Sequence, residues 1–140
     1  MNTPIQQGRI FFAAAIAALA ACGGGISVEL PKDPCDTLRI AADEFRKYHQ
    51  LVTGTEAKGE RRIRLKVDPA LSPDGNDTYT ITSDAQGATL AGDKPRCVLY
   101  AVYALLERRA GCRWFWDGDV VPKRDAIDLS GLAVHEHSRF

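Results

Sequence analysis

One continuous stretch decides the fold, and it reads Arg96-Cys97-Val98-Leu99-Tyr100-Ala101-Val102-Tyr103-Ala104-Leu105-Leu106-Glu107-Arg108-Arg109-Ala110-Gly111-Cys112-Arg113-Trp114-Phe115-Trp116. No charged side chain occurs between Cys97 and Leu106, so a helix formed here is apolar on nearly every side. Pro95 suits its first turn and Gly111 suits its C-terminal cap. Both tryptophans of the protein follow at once. We therefore expect the rest of the chain to cover this helix.

The composition is that of a folded globular domain. A chain of 140 residues is long enough for a single core of ordinary size. Its 45% hydrophobic and 26% charged content excludes a disordered chain. The 18 basic residues balance the 18 acidic ones, so no net field draws the protein to nucleic acid or to an anionic membrane surface.

The N-terminal segment resembles an export signal. Ile10–Leu19 is apolar but too short to span a bilayer, as in a signal peptide. Leu19-Ala20-Ala21-Cys22 resembles a bacterial lipobox, in which Cys22 would be lipidated and become the mature N-terminus. We expect residues 1–22 to be this signal and 23–25 to be a glycine tether. An ordinary secretory signal is the alternative. Both imply export, and the lipobox implies lipid anchoring in the cell envelope, in the periplasm or at the outer membrane.

Alternating and helical patterns predict the remaining elements. They are a strand at Ile26–Leu30, a helix from Pro34 to Gly54 capped by Asp33, a strand at Arg61–Val67, strands at Thr78–Ser83 and Ala88–Ala91 around a four-residue turn, and a last short strand at Ala126–Leu129. The order of elements predicts an α+β fold. We expect a two-layer sandwich, with a mixed β-sheet of about four to five strands and two helices packed on one face. This domain would cover 26–130, with 131–140 as a tail or linker.

Three cysteines remain in the expected mature domain. Cys97 and Cys112 lie at opposite ends of the central helix, which places them roughly 18 Å apart, far beyond the ~7 Å limit for a disulfide. No Cys-x-x-Cys spacing offers a redox motif or a zinc ribbon. Free, buried thiols are the expected state.

Charged and titratable residues give little sign of chemistry. Arg62, Arg64 and Lys66 alternate along one strand, but no aromatic residues interleave them, so they predict a solvated sheet face and no nucleic-acid binding. His135 and His137 point to one side of an extended segment without a third ligand, so we predict no metal site and no cofactor.

Asp117 and Asp119 flank Gly118 close to two tryptophans. Paired carboxylates beside aromatic rings occur in glycosidases. Asp-Gly-Asp is also ordinary turn chemistry, and no cleft is indicated around it. The sequence therefore predicts no catalytic residue.

The aromatic run is the candidate site. Trp114, Phe115 and Trp116, with Arg113 before them, are the residues that could contact a ligand or a neighbouring domain. Three consecutive side chains of an extended segment cannot all point the same way, so at least one should enter the core. The exposed remainder would be a sugar-stacking surface or a protein-contact patch, and we favour core packing plus interdomain contact.

Short segments along the chain match one known family in order. They are Ala41-Ala42-Asp43-Glu44-Phe45-Arg46-Lys47-Tyr48, Val52-Thr53-Gly54, Tyr79-Thr80-Ile81, Leu90-Ala91-Gly92, Leu99-Tyr100-Ala101-Val102-Tyr103, Leu105-Leu106-Glu107, Gly111-Cys112-Arg113-Trp114-Phe115 and Val121-Pro122. This ordered set resembles the N-terminal, non-catalytic domain of α-glucuronidases and β-N-acetylhexosaminidase-like glycoside hydrolases. One departure is Cys97, where that family usually has glycine.

The resemblance implies an accessory α+β domain of a secreted polysaccharide-degrading enzyme. In that family a catalytic (β/α)8 barrel follows, and the catalytic carboxylates lie in it, so none transfers to this chain. We therefore expect a domain without catalysis of its own whose partner is a barrel. One alternative is a carbohydrate-binding module that uses Trp114 or Trp116. Another is a surface lipoprotein that binds a different protein.

Overall fold

The computed structural model describes residues 25–137, which form two β-sheets and two α-helices. The elements are β1 Ile26–Glu29, α1 Asp36–Thr53, β2 Arg61–Val67, a 3₁₀ turn Pro69–Leu71, β3 Thr78–Asp84, β4 Gly87–Gly92, α2 Pro95–Ala110, β5 Arg113–Phe115, β6 Gly118–Val120 and β7 Ala133–His137. The predicted signal peptide, its Cys22 and the first two tether glycines lie outside the described residues. In the described part, no helix is both long enough and apolar enough to cross a membrane.

The main sheet is mixed and has five strands in the order β1-β2-β4-β3-β7. Strand β2 is parallel to both β1 and β4, whereas β3 is antiparallel to both β4 and β7. The predicted parallel pairing of the first two strands is confirmed. So is the α+β fold class, with five strands in one sheet and both helices on one of its faces.

The two faces of the main sheet differ in chemistry because strand side chains alternate. Ile63, Leu65 and Ile81 lie on the helix-covered face and are 3% exposed or less. Arg62 and Lys66 point to the opposite side, which carries no helix within residues 25–137 and which we call the open face. The core is therefore confined to one side of the sheet.

Helix α2 is covered on most of its apolar surface, with Leu99, Tyr100, Tyr103 and Ala104 half-buried. No residue from Cys97 to Leu106 is exposed, and Val98, Ala101 and Leu105 are completely buried. The sheet lies against one side of the helix, and α1 packs alongside it. This burial confirms the expectation drawn from its sequence.

The close contact between the sheet and α2 is made at Gly92. A Cβ atom on Gly92 would lie 2.6 Å from the Val98 backbone nitrogen and 2.7 Å from the Cys97 Cβ, so only glycine fits there. Cys97 itself is buried and its side chain is accommodated.

Three predicted boundaries are wrong in detail. Helix α1 begins at Asp36, because Cys35 still has an extended backbone (φ −70°, ψ 167°) and takes the N-cap position that was predicted for Asp33. The β3–β4 turn has two residues, since Asp84 and Gly87 still pair. Residues 126–129 form no strand; Ile127 and Leu129 are buried by side-chain packing without a ladder.

The predicted tail at 131–140 is also wrong over most of its length. Strand β7 pairs with β3 over five residues, and Leu132 belongs to the core at 6% exposure. Its sequence hides this role, because an edge strand with Val134 as the one apolar residue on its inner face has no clear alternation. The last three residues lie outside the described part of the chain.

The described cysteines are free thiols. Cys97 and Cys112 are buried, as expected, whereas Cys35 is exposed at the N-cap of α1, contrary to expectation. Burial raises the pKa of the Cys97 and Cys112 thiols, that of Cys97 to about 11. Both buried thiols are therefore protonated and unreactive at neutral pH.

Candidate functional site

The aromatic run forms a small hairpin that projects from the end of α2. Gly111 adopts φ 74°, and the backbone amides of Gly111 and Cys112 each donate over 3.2 Å to carbonyls of the last helical turn. This cap reverses the chain into β5, which pairs with β6 around a turn at Trp116 and Asp117. The hairpin is the second sheet of the protein.

Trp114 anchors the hairpin on the outside of the helix layer. Its ring meets Tyr48 of α1 edge to face, with centroids 5.4 Å apart, and Tyr103 of α2 in the same way at 4.8 Å. Such pairs each contribute about 0.5–1.5 kcal/mol beyond area burial. Trp114 is thus the aromatic residue of the run that turns inward; it is partly buried against the core and joins both helices to the hairpin.

Two tyrosine hydroxyls fasten the same junction. Tyr48 donates to the Asp119 carboxylate at 2.5 Å, and Tyr103 donates to Glu44 at 2.8 Å. Burial, followed by these hydrogen bonds, raises the pKa of both tyrosines. Both hydroxyls therefore stay protonated as donors under all physiological conditions.

The indole N–H of Trp114 is buried and meets no acceptor with hydrogen-bond geometry. It nonetheless lies close enough to the Tyr48 hydroxyl to lower the Tyr48 pKa slightly, which partly offsets the rise caused by burial. Trp114 is therefore held mainly by ring packing.

The outer face and tip of the hairpin are apolar and exposed. Phe115 is 56% exposed, Trp116 98% and Val120 51%. We call these three residues the hairpin patch. Arg113 points to the same face, but its guanidinium donates to the carbonyls of Glu107 and Cys112, so it caps α2. The structure thus separates the four predicted contact residues into an anchor, a cap and two patch residues.

Asp117 and Asp119 do not form a catalytic pair. Both are exposed, and Asp119 accepts the Tyr48 hydrogen bond while Asp117 lies in the turn. A glycosidase acid is usually held in a desolvated pocket opposite its partner, and neither carboxylate occupies one.

A second cluster of titratable groups lies where β4 meets α2. Carboxylate oxygens of Asp77 and Asp93 and the Cys97 sulfur all lie within 4.8 Å of one another, a spacing that could hold a cation. The Lys94 ammonium takes that position. It donates to Asp77, Asp93 and the Gly75 carbonyl, each over 2.8 Å. All three of its donors are used, so the cluster is complete without a metal.

The hydrogen bonds of this cluster also set its protonation. Burial alone would raise the pKa of Asp93, but hydrogen bonds from Lys94 and the Thr78 amide outweigh it and lower the pKa to about 2. Hydrogen bonds from Arg96 and then Lys94 lower the pKa of Asp77. Both carboxylates are ionised at neutral pH and tie the 72–77 loop to the start of α2.

The basic row on β2 is matched by acidic partners. Arg62 lies 3.4 Å from Glu29, Lys66 lies 3.8 Å from Asp68, and Arg64 pairs with Asp84. Such a row has little unpaired positive charge to offer a phosphate backbone. This agrees with the interpretation of the row as a solvated sheet face.

Sequence reasoning missed the residues that hold the hairpin. Tyr48 was expected only as part of the apolar stripe of α1, and Tyr103 only as part of α2. The available signal was that each tyrosine places a hydroxyl at the edge of an apolar stripe, where a buried ring still needs a hydrogen-bond partner. Their common partner, the hairpin, could not be located without the packing of the two helices.

The scan against protein-family models finds no match for this sequence, and the search of curated proteins finds no relative either.

Trp114 and Trp116 should differ sharply in their effect on stability. Trp114→Ala removes the ring that joins both helices to the hairpin, so we expect it to lower the free energy of unfolding by about 2–3 kcal/mol, less than the ~3–5 kcal/mol of a fully buried tryptophan because Trp114 is only partly buried. Trp116→Ala removes an equally large but exposed side chain and should change it by less than ~0.5 kcal/mol. Urea unfolding followed by circular dichroism measures both. Equal effects of the two substitutions would contradict the anchoring role.

Asp93 should make the protein sensitive to acid. Its pKa is about 2 when folded, against a usual value of 3.8, so its stabilisation is complete above about pH 5 and is lost as the pH falls toward 2. Asp93→Asn should be less stable at neutral pH and should lose less stability between pH 5 and 2. Asp36→Asn, at an exposed position, is the control and should follow the wild type. Identical pH profiles for Asp93→Asn and wild type would refute the assignment.

Proposed function

We propose that this chain is an exported, non-catalytic accessory domain of glycoside-hydrolase type that supports a catalytic (β/α)8 barrel through the hairpin patch. The observation that carries the proposal is an aromatic patch held in the open on a firmly anchored hairpin. The resemblance of its ordered segments to accessory domains of α-glucuronidases and β-N-acetylhexosaminidase-like enzymes suggests the identity of the partner.

The hairpin patch has the properties of a protein-contact site. Tryptophan and phenylalanine are among the residues that contribute most to binding when a partner buries them. The Trp114 anchor already fixes the hairpin, so docking would cost little additional conformational entropy. An exposed aromatic tip without a partner would only add a risk of aggregation.

The titratable clusters of the described residues support a non-catalytic role. Asp119, Glu44, Asp77 and Asp93 are each engaged by tyrosine hydroxyls, lysine, arginine or a backbone amide. Groups whose hydrogen bonds serve to join elements of the fold are not free to move protons for a substrate. Reaction chemistry is accordingly assigned to the partner.

Binding to a barrel domain tests the proposal directly. The wild-type chain should form a complex with a (β/α)8 glycosidase domain from the same organism, measured by calorimetry and sedimentation. Trp116→Ala should weaken it by about tenfold or more, because it removes the centre of the contact. The control is Ile40→Ala, at a 53% exposed apolar residue of α1, and it should bind as the wild type does.

The chain alone should not cleave aryl glucuronides or aryl N-acetylglucosaminides. Turnover that Asp117→Asn abolishes would overturn the non-catalytic assignment. Barrel binding that is indifferent to Trp116→Ala would overturn the docking assignment.

Carbohydrate binding is the second candidate function, because Trp116 is 98% exposed and a flat ring can stack on a sugar. Calorimetric titration of the isolated chain with oligosaccharides distinguishes it from the first. Binding that disappears in Trp116→Ala, with the fold intact, would favour the carbohydrate-binding module. A partner that is neither a barrel nor a sugar would favour the surface-lipoprotein alternative.

Lipid anchoring through Cys22 is the part of the proposal that concerns residues outside the described structure. If Cys22 carries the lipid, the wild-type chain expressed in a bacterium should fractionate with membranes. Growth with radiolabelled palmitate should label the wild-type chain, and Cys22→Ser should lose that label. Cys35→Ser is the control and should keep it. Palmitate labelling that persists in Cys22→Ser, or its absence from the wild type, would contradict the lipobox assignment.

A further inference from the structure

We propose that His135 and His137 form a binding site for a divalent transition-metal ion on the open face of the main sheet. The sequence argued against a metal here because it offers no third ligand and because the two histidines fell in a predicted tail. The structure places them on β7, where both rings lie on the open face at positions that pair with Thr80 and Thr78 of β3. The pair therefore has the ordered backbone that a preformed site requires.

Thr78 prepares His137 as a ligand. The Thr78 hydroxyl lies 3.0 Å from the Asn76 carbonyl and 2.7 Å from the His137 Nδ1. A hydroxyl has one proton, and the carbonyl can only accept, so both contacts are satisfied together when Thr78 donates to Asn76 and accepts from Nδ1–H. The neutral ring then carries its free lone pair on Nε2. An outer hydrogen bond of this kind orients most metal-binding histidines.

The two rings are separated by the distance that chelation requires. Their centroids lie 5.3 Å apart, with an angle of 63° between the ring planes. A metal about 2.05 Å from each ligating nitrogen, with a ring radius of roughly 1.1 Å, places two tetrahedrally arranged imidazole centroids about 5.2 Å apart. Both rings are exposed, so small rotations of the side chains would direct their nitrogens to one ion.

Among the described residues, the surroundings of the two histidines do not oppose a cation. Thr78 and Thr80 are neutral neighbours on β3, and the basic row of β2 is three strand spacings away, about 14 Å, beyond the Debye length of roughly 8 Å. Glu136 points to the other face, where it accepts from Tyr79 and Arg108. Two imidazoles with water in the remaining positions suit Zn²⁺, Ni²⁺ or Cu²⁺, and they do not suit Mg²⁺ or Ca²⁺.

Titration of the full chain with NiCl₂ tests the site. Amide NMR signals of β7 and of Thr78–Thr80 should broaden first, because Ni²⁺ relaxes nearby nuclei. Calorimetry should give an affinity that falls at least about tenfold in His135→Gln or His137→Gln, and about tenfold in Thr78→Val, which removes only the orienting hydroxyl.

Two controls separate this site from other ligands. Glu136→Gln, on the same strand but the opposite face, should keep the wild-type affinity. Cys35→Ser removes the exposed thiol and should also keep it. The proposal is overturned if broadening centres elsewhere, if both histidine variants bind as wild type does, or if β7 shows no effect at about 1 mM Ni²⁺, a weak-binding limit of about 4 kcal/mol.

Discussion

Helix α2 has no side that is suited to water, and the other elements of the protein are arranged by that constraint. One side lies on β4 and β3, α1 packs beside it, and the aromatic hairpin lies over the groove between the two helices. Complete burial of a side chain such as Leu105 or Val98 stabilises a fold by about 1.5–3 kcal/mol. The repeated burial along α2 therefore makes a large contribution to the stability of the domain.

The segment after the hairpin completes the enclosure of the hydrophobic core. The Arg124 amide donates to the Val52 carbonyl at 3.0 Å, which ties the chain to the end of α1. Ile127 and Leu129 are then buried in the core. The Ser83 hydroxyl donates to the Leu129 carbonyl and accepts from the Leu132 amide, just before β7 joins the sheet. The segment 121–132 has no regular pattern in the sequence, yet it completes the core and positions β7 so that His135 and His137 lie on the open face.

The sequence predicts the fold where periodicity is strong and fails where packing alone decides. Both helices, β2 and the parallel start of the sheet follow from regular apolar spacing and from glycine at Gly54 and Gly111. Strand β7 is missed because its residues are mostly polar, and 126–129 is mistaken for a strand because its buried residues happen to alternate. At the hairpin, the sequence predicted that at least one aromatic residue turns inward but did not say which one. Trp114 is that residue because its ring packs against Tyr48 and Tyr103, whose positions become known only from the structure.

The residues that hold the hairpin in place differ from the residues that remain available for binding. Trp114, Tyr48 and Asp119 hold the hairpin, and this leaves Phe115 and Trp116 available on a fixed support. A docking function then requires only that the support be rigid, and its rigidity derives from the burial of α2.

Native-state amide hydrogen exchange tests that claim most directly. If α2 is enclosed on all sides, its amides from Val98 to Leu106 should exchange only through global unfolding, with the same free energy that denaturant titration gives. Exchange of those amides by local opening, at a free energy well below the global value, would show that the helix is not enclosed and would contradict the account.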